Sequence, residues 1–278
     1  MCRLYRFCLV ITFCLHPAIV RAEISSEAAT ELMNVSGMTR LLQILPKQMQ
    51  AGFLEGLSAG TSELEPQQRA RIEAAVVGAY SPARMRYSVR DRLRRGLDAT
   101  RVGDLMHWYR GEIGASITRL EIATLADDRS SKHILADNAE RLAGMPATRR
   151  GLLERAVAAS RAVRMAENLV INMIAGLEYG SRRARGEGPD SPSLAELRQQ
   201  LEINRPALAE AFLELSLAIS AETYQSLAED ELAAYVGFLE SPAGSHFHEL
   251  GVAALDAALL DAACRLGELL PLGPEQSI

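Results

Sequence analysis

The chain has 278 residues, of which 30 are Lys or Arg and 35 are Asp or Glu, giving a formal charge of −5 with 48% hydrophobic side chains. That balance argues against a broad surface for nucleic acid or anionic lipid. The length suffices for one large or two small domains with real hydrophobic cores.

At the N-terminus Arg3 and Arg6 precede the apolar run Phe7 to Leu15, and Val20-Arg21-Ala22 places small residues where a signal peptidase reads them. This is the pattern of a secretory signal peptide over residues 1–22, cleaved after Ala22, and it predicts a periplasmic or secreted protein. The apolar run is far short of the ~20 residues that span a bilayer, so no stable membrane span is expected after cleavage. Cys14 follows the bulky Phe13, which argues against lipidation. Cleavage removes Arg3, Arg6 and Arg21 and no acid, leaving 27 basic and 35 acidic residues and a formal charge of −8. Cys2, Cys8 and Cys14 leave with it, so Cys264 has no intramolecular partner and the fold cannot depend on its own disulfide.

From Ser26 to Asp261 apolar residues recur at helical spacing without sustained alternation, which predicts an all-α fold. Asp98 reads as a cap before Ala99, with Leu97 and Val102 placed as a hydrophobic staple. Ser193 with Glu196, and Ser226 with Glu229, read as capping boxes. Breaks are expected at 144–151, around Met145-Pro146, and at 180–193. The second stretch holds Gly180, Gly186, Gly188, Pro189 and Pro192 among Arg182, Arg183 and Arg185, the composition of an exposed loop.

Compared with itself, the chain shows an internal repeat. Ser36 to Gly52 aligns without a gap on Ser160 to Gly176, pairing Arg40 with Arg164, Leu45 with Leu169 and Met49 with Met173. Val102, Leu105, Trp108, Tyr109, Gly114 and Leu120 fall on Leu232, Tyr235, Phe238, Leu239, Gly244 and Leu250, and the shift grows from 124 to 130 residues between the two matches. A helix-interior glycine costs about 1 kcal/mol relative to alanine, so its recurrence at Gly114 and Gly244 points to close packing or a shared break. The expected architecture is two tandem pseudo-repeated helical-bundle units, 23–143 and 152–270, joined by a linker at 144–151. A tail follows at 271–278. Leu45 and Leu169 are both expected in the core, with Lys47 and Asn172 off the apolar stripe.

Tyr235-Val-Gly-Phe-Leu-Glu-Ser-Pro-Ala-Gly-Ser-His-Phe resembles the C-terminal pattern of the bacterial exported helical family catalogued as domain of unknown function 2059. There an aromatic residue leads into Ser-Pro-x-Gly, here Phe238 into Ser241, Pro242, Ala243 and Gly244. Val35-Ser36-Gly37 before Met38, Leu41 and Leu45 resembles the family's upstream helix. Gly111-Glu112-Ile113-Gly114 in the first unit lacks the proline. The resemblance implies an all-helical exported protein and brings no catalytic residues. Physically, Ser241-Pro242 reads as an N-cap followed by proline at the first helical position, with one helix ending near Glu240 and another beginning.

No catalytic, cofactor-binding or metal-ligating constellation is found. His246 and His248 lie two apart, about 200° around a helix, and cannot chelate one metal from it. The other histidines beyond residue 22 are His107 and His133. No His-Glu-x-x-His, cysteine pair, Gly-x-Ser-x-Gly elbow or phosphate-cradling loop occurs. Acid clusters such as Asp127-Asp128 and Glu229-Asp230-Glu231 read as solvated faces. Trp108 and Tyr109 form the one aromatic cluster, read as core or as the edge of a groove. The expected function is a noncatalytic exported scaffold that binds a protein partner. The alternative is a carrier or sensor of a lipid or other apolar small molecule, with Met38, Met49, Met85, Met106, Met165 and Met173 as adaptable lining.

Overall fold

Every regular element among the described residues of the computed structural model is helical, and those residues are 23–60, 65–127, 129, 131–188 and 191–270. The expected signal peptide and tail lie outside them. In chain order come α1 (Ser26–Val35), α2 (Met38–Gly60), α3 (Pro66–Ala79), α4 (Pro82–Gly96), α5 (Ala99–Arg110), α6 (Glu112–Leu125) and α7 (Ser131–Ala143). After them come α8 (Ala147–Ser160), α9 (Ala162–Ala184), α10 (Leu194–Leu201), a 3₁₀ turn at Glu202–Asn204, α11 (Arg205–Thr223), α12 (Glu229–Glu240) and α13 (Pro242–Leu269). No helix among the described residues is long and apolar enough to cross a membrane.

Local chemistry sets most boundaries. Asp98 caps α5 by accepting from the Arg101 N–H at 2.9 Å, and Ser193 and Glu196 form the reciprocal box that opens α10. Ser241 caps α13 by accepting from the Gly244 N–H at 3.1 Å, with Pro242 at the first helical position. At α12 the boundary differs from expectation. Ala228 is the cap residue, and Glu231, not Glu229, reaches back to its N–H at 2.9 Å. Between α7 and α8 only Gly144 to Pro146 is irregular, so Gly151 is helical. A single glycine weakens a helix without ending it. The 180–193 break begins later than expected because α9 runs to Ala184. Gly180 serves close packing there, since a Cβ would run into the Cys264 carbonyl of α13.

The two halves share local detail. α2 and α9 each have 23 residues, and α5 and α12 each have 12. The turn before α2 passes through Gly37 at φ 76°, and the turn before α9 passes through Arg161 at φ 59°. α1 buries Ala29, Leu32 and Met33, and α8 buries Leu153, Ala156 and Val157, the same positions displaced by 124. α5 buries Val102, Leu105, Met106 and Tyr109, matched at a displacement of 130 by Leu232, Tyr235, Val236 and Leu239 of α12. Glu31 of α1 pairs with Arg110 of α5. At the equivalent positions, with the charges exchanged, Arg155 of α8 pairs with Glu240 of α12 at 2.6 Å. Gly114 and Gly244 each sit where a Cβ would run into a carbonyl oxygen, of Trp108 and of Phe238. Each glycine lets the following helix fold back on the turn before it.

The halves differ in their last helix: α6 has 14 residues and α13 has 28. The added length lies along α9, where Gly176, Gly180 and Gly267 admit backbone-to-backbone approach. This turns the small-residue face of α9 inward. Ile171, Asn172, Ala175 and Gly176 are buried, while Leu169, expected in the core with Leu45, is only partly covered. Asn172, expected off the stripe, is fully buried and donates from Nδ2 to Asp256 Oδ1. Lys47 is exposed as expected. One hydrophobic cluster joins both halves, with α13 resting on α3, α4 and α5, and α6 touching α11 and α12.

Candidate functional site

Two places gather unusual side chains: the seam where the halves meet, and a groove on the second half. At the seam Trp108 of α5 stacks on Phe238 of α12 with ring centres 4.5 Å apart and planes 6° from parallel. Tyr109 meets Phe238 edge-on at 5.5 Å and Phe247 of α13 at 5.8 Å. Aromatic faces and edges of opposite partial charge favour these contacts beyond their buried area. Trp108 and Phe238 lie 130 residues apart, the same displacement that relates the buried positions of α5 to those of α12.

Beside the stack, half-buried Glu121 of α6 accepts from the hydroxyls of Tyr224 (2.8 Å) and Tyr235 (2.6 Å) through one oxygen, Oε1. Burial pushes the Glu121 carboxyl up, while the two tyrosine hydrogen bonds pull it down. Burial, with the Glu121 charge, also lifts Tyr109, Tyr224 and Tyr235 well above the ordinary phenol range. The hydroxyls therefore stay protonated donors, and the cluster ties α6 of the first half to α11 and α12 of the second.

The histidines do not converge. His246 Nε2 lies 2.9 Å from the Gly96 carbonyl of α4. His248 points the other way, between Phe238 and Phe247. Its Nε2 is buried with no partner among the described residues, and burial together with Arg161 holds it down at about 4. His107 and His133 are exposed, and no group of three His, Cys, Asp or Glu side chains among the described residues could hold a metal. Cys264 is a free, half-buried thiol that burial pushes up to about 11, so it stays protonated at neutral pH.

On the second half, α9, the end of α10, the 3₁₀ turn and α11 border an open apolar groove of about 340 Å³, lined by Val170, Ile171, Ile174, Leu201, Asn204, Ala207 and Leu208. Ile203, in the 3₁₀ turn at its side, is 83% exposed. A polar clamp holds the two helices together at one end. Arg205 donates to Glu167 of α9 at 2.5 Å, to Asn168 at 3.2 Å, and to both oxygens of Glu202 at 2.6 and 2.8 Å. Sequence reasoning missed this groove, because the clamp joins residues 38 positions apart. The methionines read as adaptable lining are elsewhere: Met49, Met85 and Met106 are buried in the core, and Met38, Met165 and Met173 pack against it.

No family model, curated protein or solved structure matches the chain.

Proposed function

We propose that this is an exported, noncatalytic binding protein made of two diverged copies of one helical unit, which takes an apolar segment of a partner protein into the α9–α11 groove. The observation that carries the reading is the groove itself, an open apolar trough beside the almost fully exposed Ile203. An amphipathic helix laid in such a trough buries its apolar face as it does in other helix-in-groove complexes. The duplication is supported by the exchanged ion pairs, the matched turns at Gly37 and Arg161, and the reciprocal contacts across the seam. The noncatalytic part rests on the sequence, which holds no catalytic constellation. In the same reading the Ser241-Pro242-Ala243-Gly244 box is kinship with the exported family catalogued as domain of unknown function 2059. Its residues act structurally: Ser241 caps α13 while donating to the Phe238 carbonyl at 2.7 Å, and Gly244 clears the same carbonyl.

Photo-crosslinking residues placed at Ile203 and Leu208 in producing cells test the groove. One dominant adduct shared by both positions, and absent from the exposed apolar positions Val77 and Tyr87, is the expected result. Equal labelling from all four positions, or none, overturns the groove as the contact surface. Export is checked by sequencing the mature N-terminus, which should begin at Glu23.

A further inference from the structure

We propose that the crevice where α8, α9 and α11 meet binds a small amphipathic anion, with one carboxylate or phosphate head on a short apolar chain. The crevice is open to solvent and has a volume of about 430 Å³, within the range of small-molecule sites. Its apolar wall is Val157, Ala158, Val163 and the 46% exposed Leu213. Its charged wall holds Arg161, Arg164 and Arg205 against Glu154 and Glu167. Both acids are already neutralised, Glu154 by Arg150 at 3.0 Å and Glu167 by Arg205 at 2.5 Å. Arg205 is in turn fully engaged by Glu167, Glu202 and Asn168.

Two further guanidiniums line the crevice. Arg164 is exposed and makes no hydrogen bond or close ion pair among the described residues, its charge acting on Glu202 from a distance. Arg161 makes only a long ion pair, 3.9 Å to the exposed Glu249, and its buried Nε has no partner among the described residues. A planar guanidinium matches the oxygens of a carboxylate or phosphate as a fork. Two of them beside an exposed leucine select a head-and-tail ligand over a bare ion or a neutral hydrocarbon.

Arg161 is the one non-glycine residue at positive φ among the described residues, and its counterpart in the first half is Gly37. A left-handed conformation suits glycine and strains arginine. Glycine at 161 would serve the turn better, and the residue that takes this strained conformation is one that lines the crevice. The proposal does not depend on a protein partner in the neighbouring groove.

Calorimetric titration of the purified protein with octanoate, octyl phosphate, inorganic phosphate and octanol tests it. Octanoate or octyl phosphate should bind one to one below about 1 mM, and octanol and inorganic phosphate at least about tenfold more weakly. Whichever amphiphile binds more tightly identifies the head group. Arg161→Gly restores the turn residue of the first half, so it should fold with an unchanged or higher Tm and yet lose about tenfold or more in affinity. Arg164→Gln, at an exposed position, should lose affinity likewise. The proposal is overturned if neither amphiphile binds, if octanol or inorganic phosphate binds as well as octanoate and octyl phosphate, or if both folded variants bind like the native chain.

Discussion

Glu121, held between two tyrosine hydroxyls, makes the centre of the molecule sensitive to pH. Its folded pKa is raised, so the folded state holds the proton more tightly than the unfolded chain does. The stability this contributes is fully present below the ordinary glutamic acid value of about 4.3 and is lost as pH rises through the raised folded value. Glu121→Gln keeps the acceptor oxygen and removes the titration. Thermal melts should place its Tm above the native one at pH 7, with the two converging below about pH 4. His248 acts in the opposite sense, being held down at about 4. The stability it contributes is present above the free histidine value of about 6.5 and falls away as pH drops towards 4. His248→Gln should flatten the acid limb of the stability profile between those values. Glycines give a sharper contrast. Gly114→Ala and Gly244→Ala each drive a methyl into a carbonyl oxygen, and denaturant melts should show each losing about 1–3 kcal/mol. Gly237, also helical, has nothing within 4 Å of its missing Cβ, so Gly237→Ala should gain up to about 1 kcal/mol.

Among the helices, what was legible in the sequence was what neighbours in sequence decide. Asp98, Ser193 and Ser241 cap helices because a side-chain oxygen needs only an N–H three residues on. The burial of Asn172 was not legible, because its partner Asp256 is 84 residues away. Nor was the partial exposure of Leu169, since the helix that rotates it, α13, is longer than the repeat predicts. The Glu121 cluster and the α9–α11 groove were hidden for the same reason: each joins helices whose pairing no local pattern encodes. The exchanged ion pairs make the helix-level equivalence testable. Glu31→Arg with Arg110→Glu copies the charge order of Arg155 and Glu240. Both pairs are about half exposed, so the double reversal should stay within about 1 kcal/mol of native, with a double-mutant cycle assigning the single changes a larger cost. Limited trypsin digestion reports on the end of α9. Arg182 and Arg183 lie in the helix and Arg185 in the turn that follows, so the first cut in this region should fall after Arg185.

At the level of the whole molecule, the proposed duplication implies an interface that was once isologous, as in a twofold dimer. Residues 36–52 with 102–120 should then superpose on 160–176 with 232–250 as one rigid body in a crystal structure of the protein. Helix pairs that match singly but differ grossly in mutual orientation would reduce the repeat to a shared amphipathic pattern. The α5–α12 aromatic stack has a practical consequence. Trp108 is the single tryptophan of the chain, and it lies against Phe238 and Tyr235 of the opposite half. Indole emission therefore reports the joint between the halves, whereas far-ultraviolet dichroism reports the helices within them. In a denaturant titration, coincident curves mean that the joint and the helices are lost in one cooperative event. An emission change that precedes the loss of ellipticity means that the halves part while still folded, and the spacing between the two midpoints then measures how firmly one half holds the other.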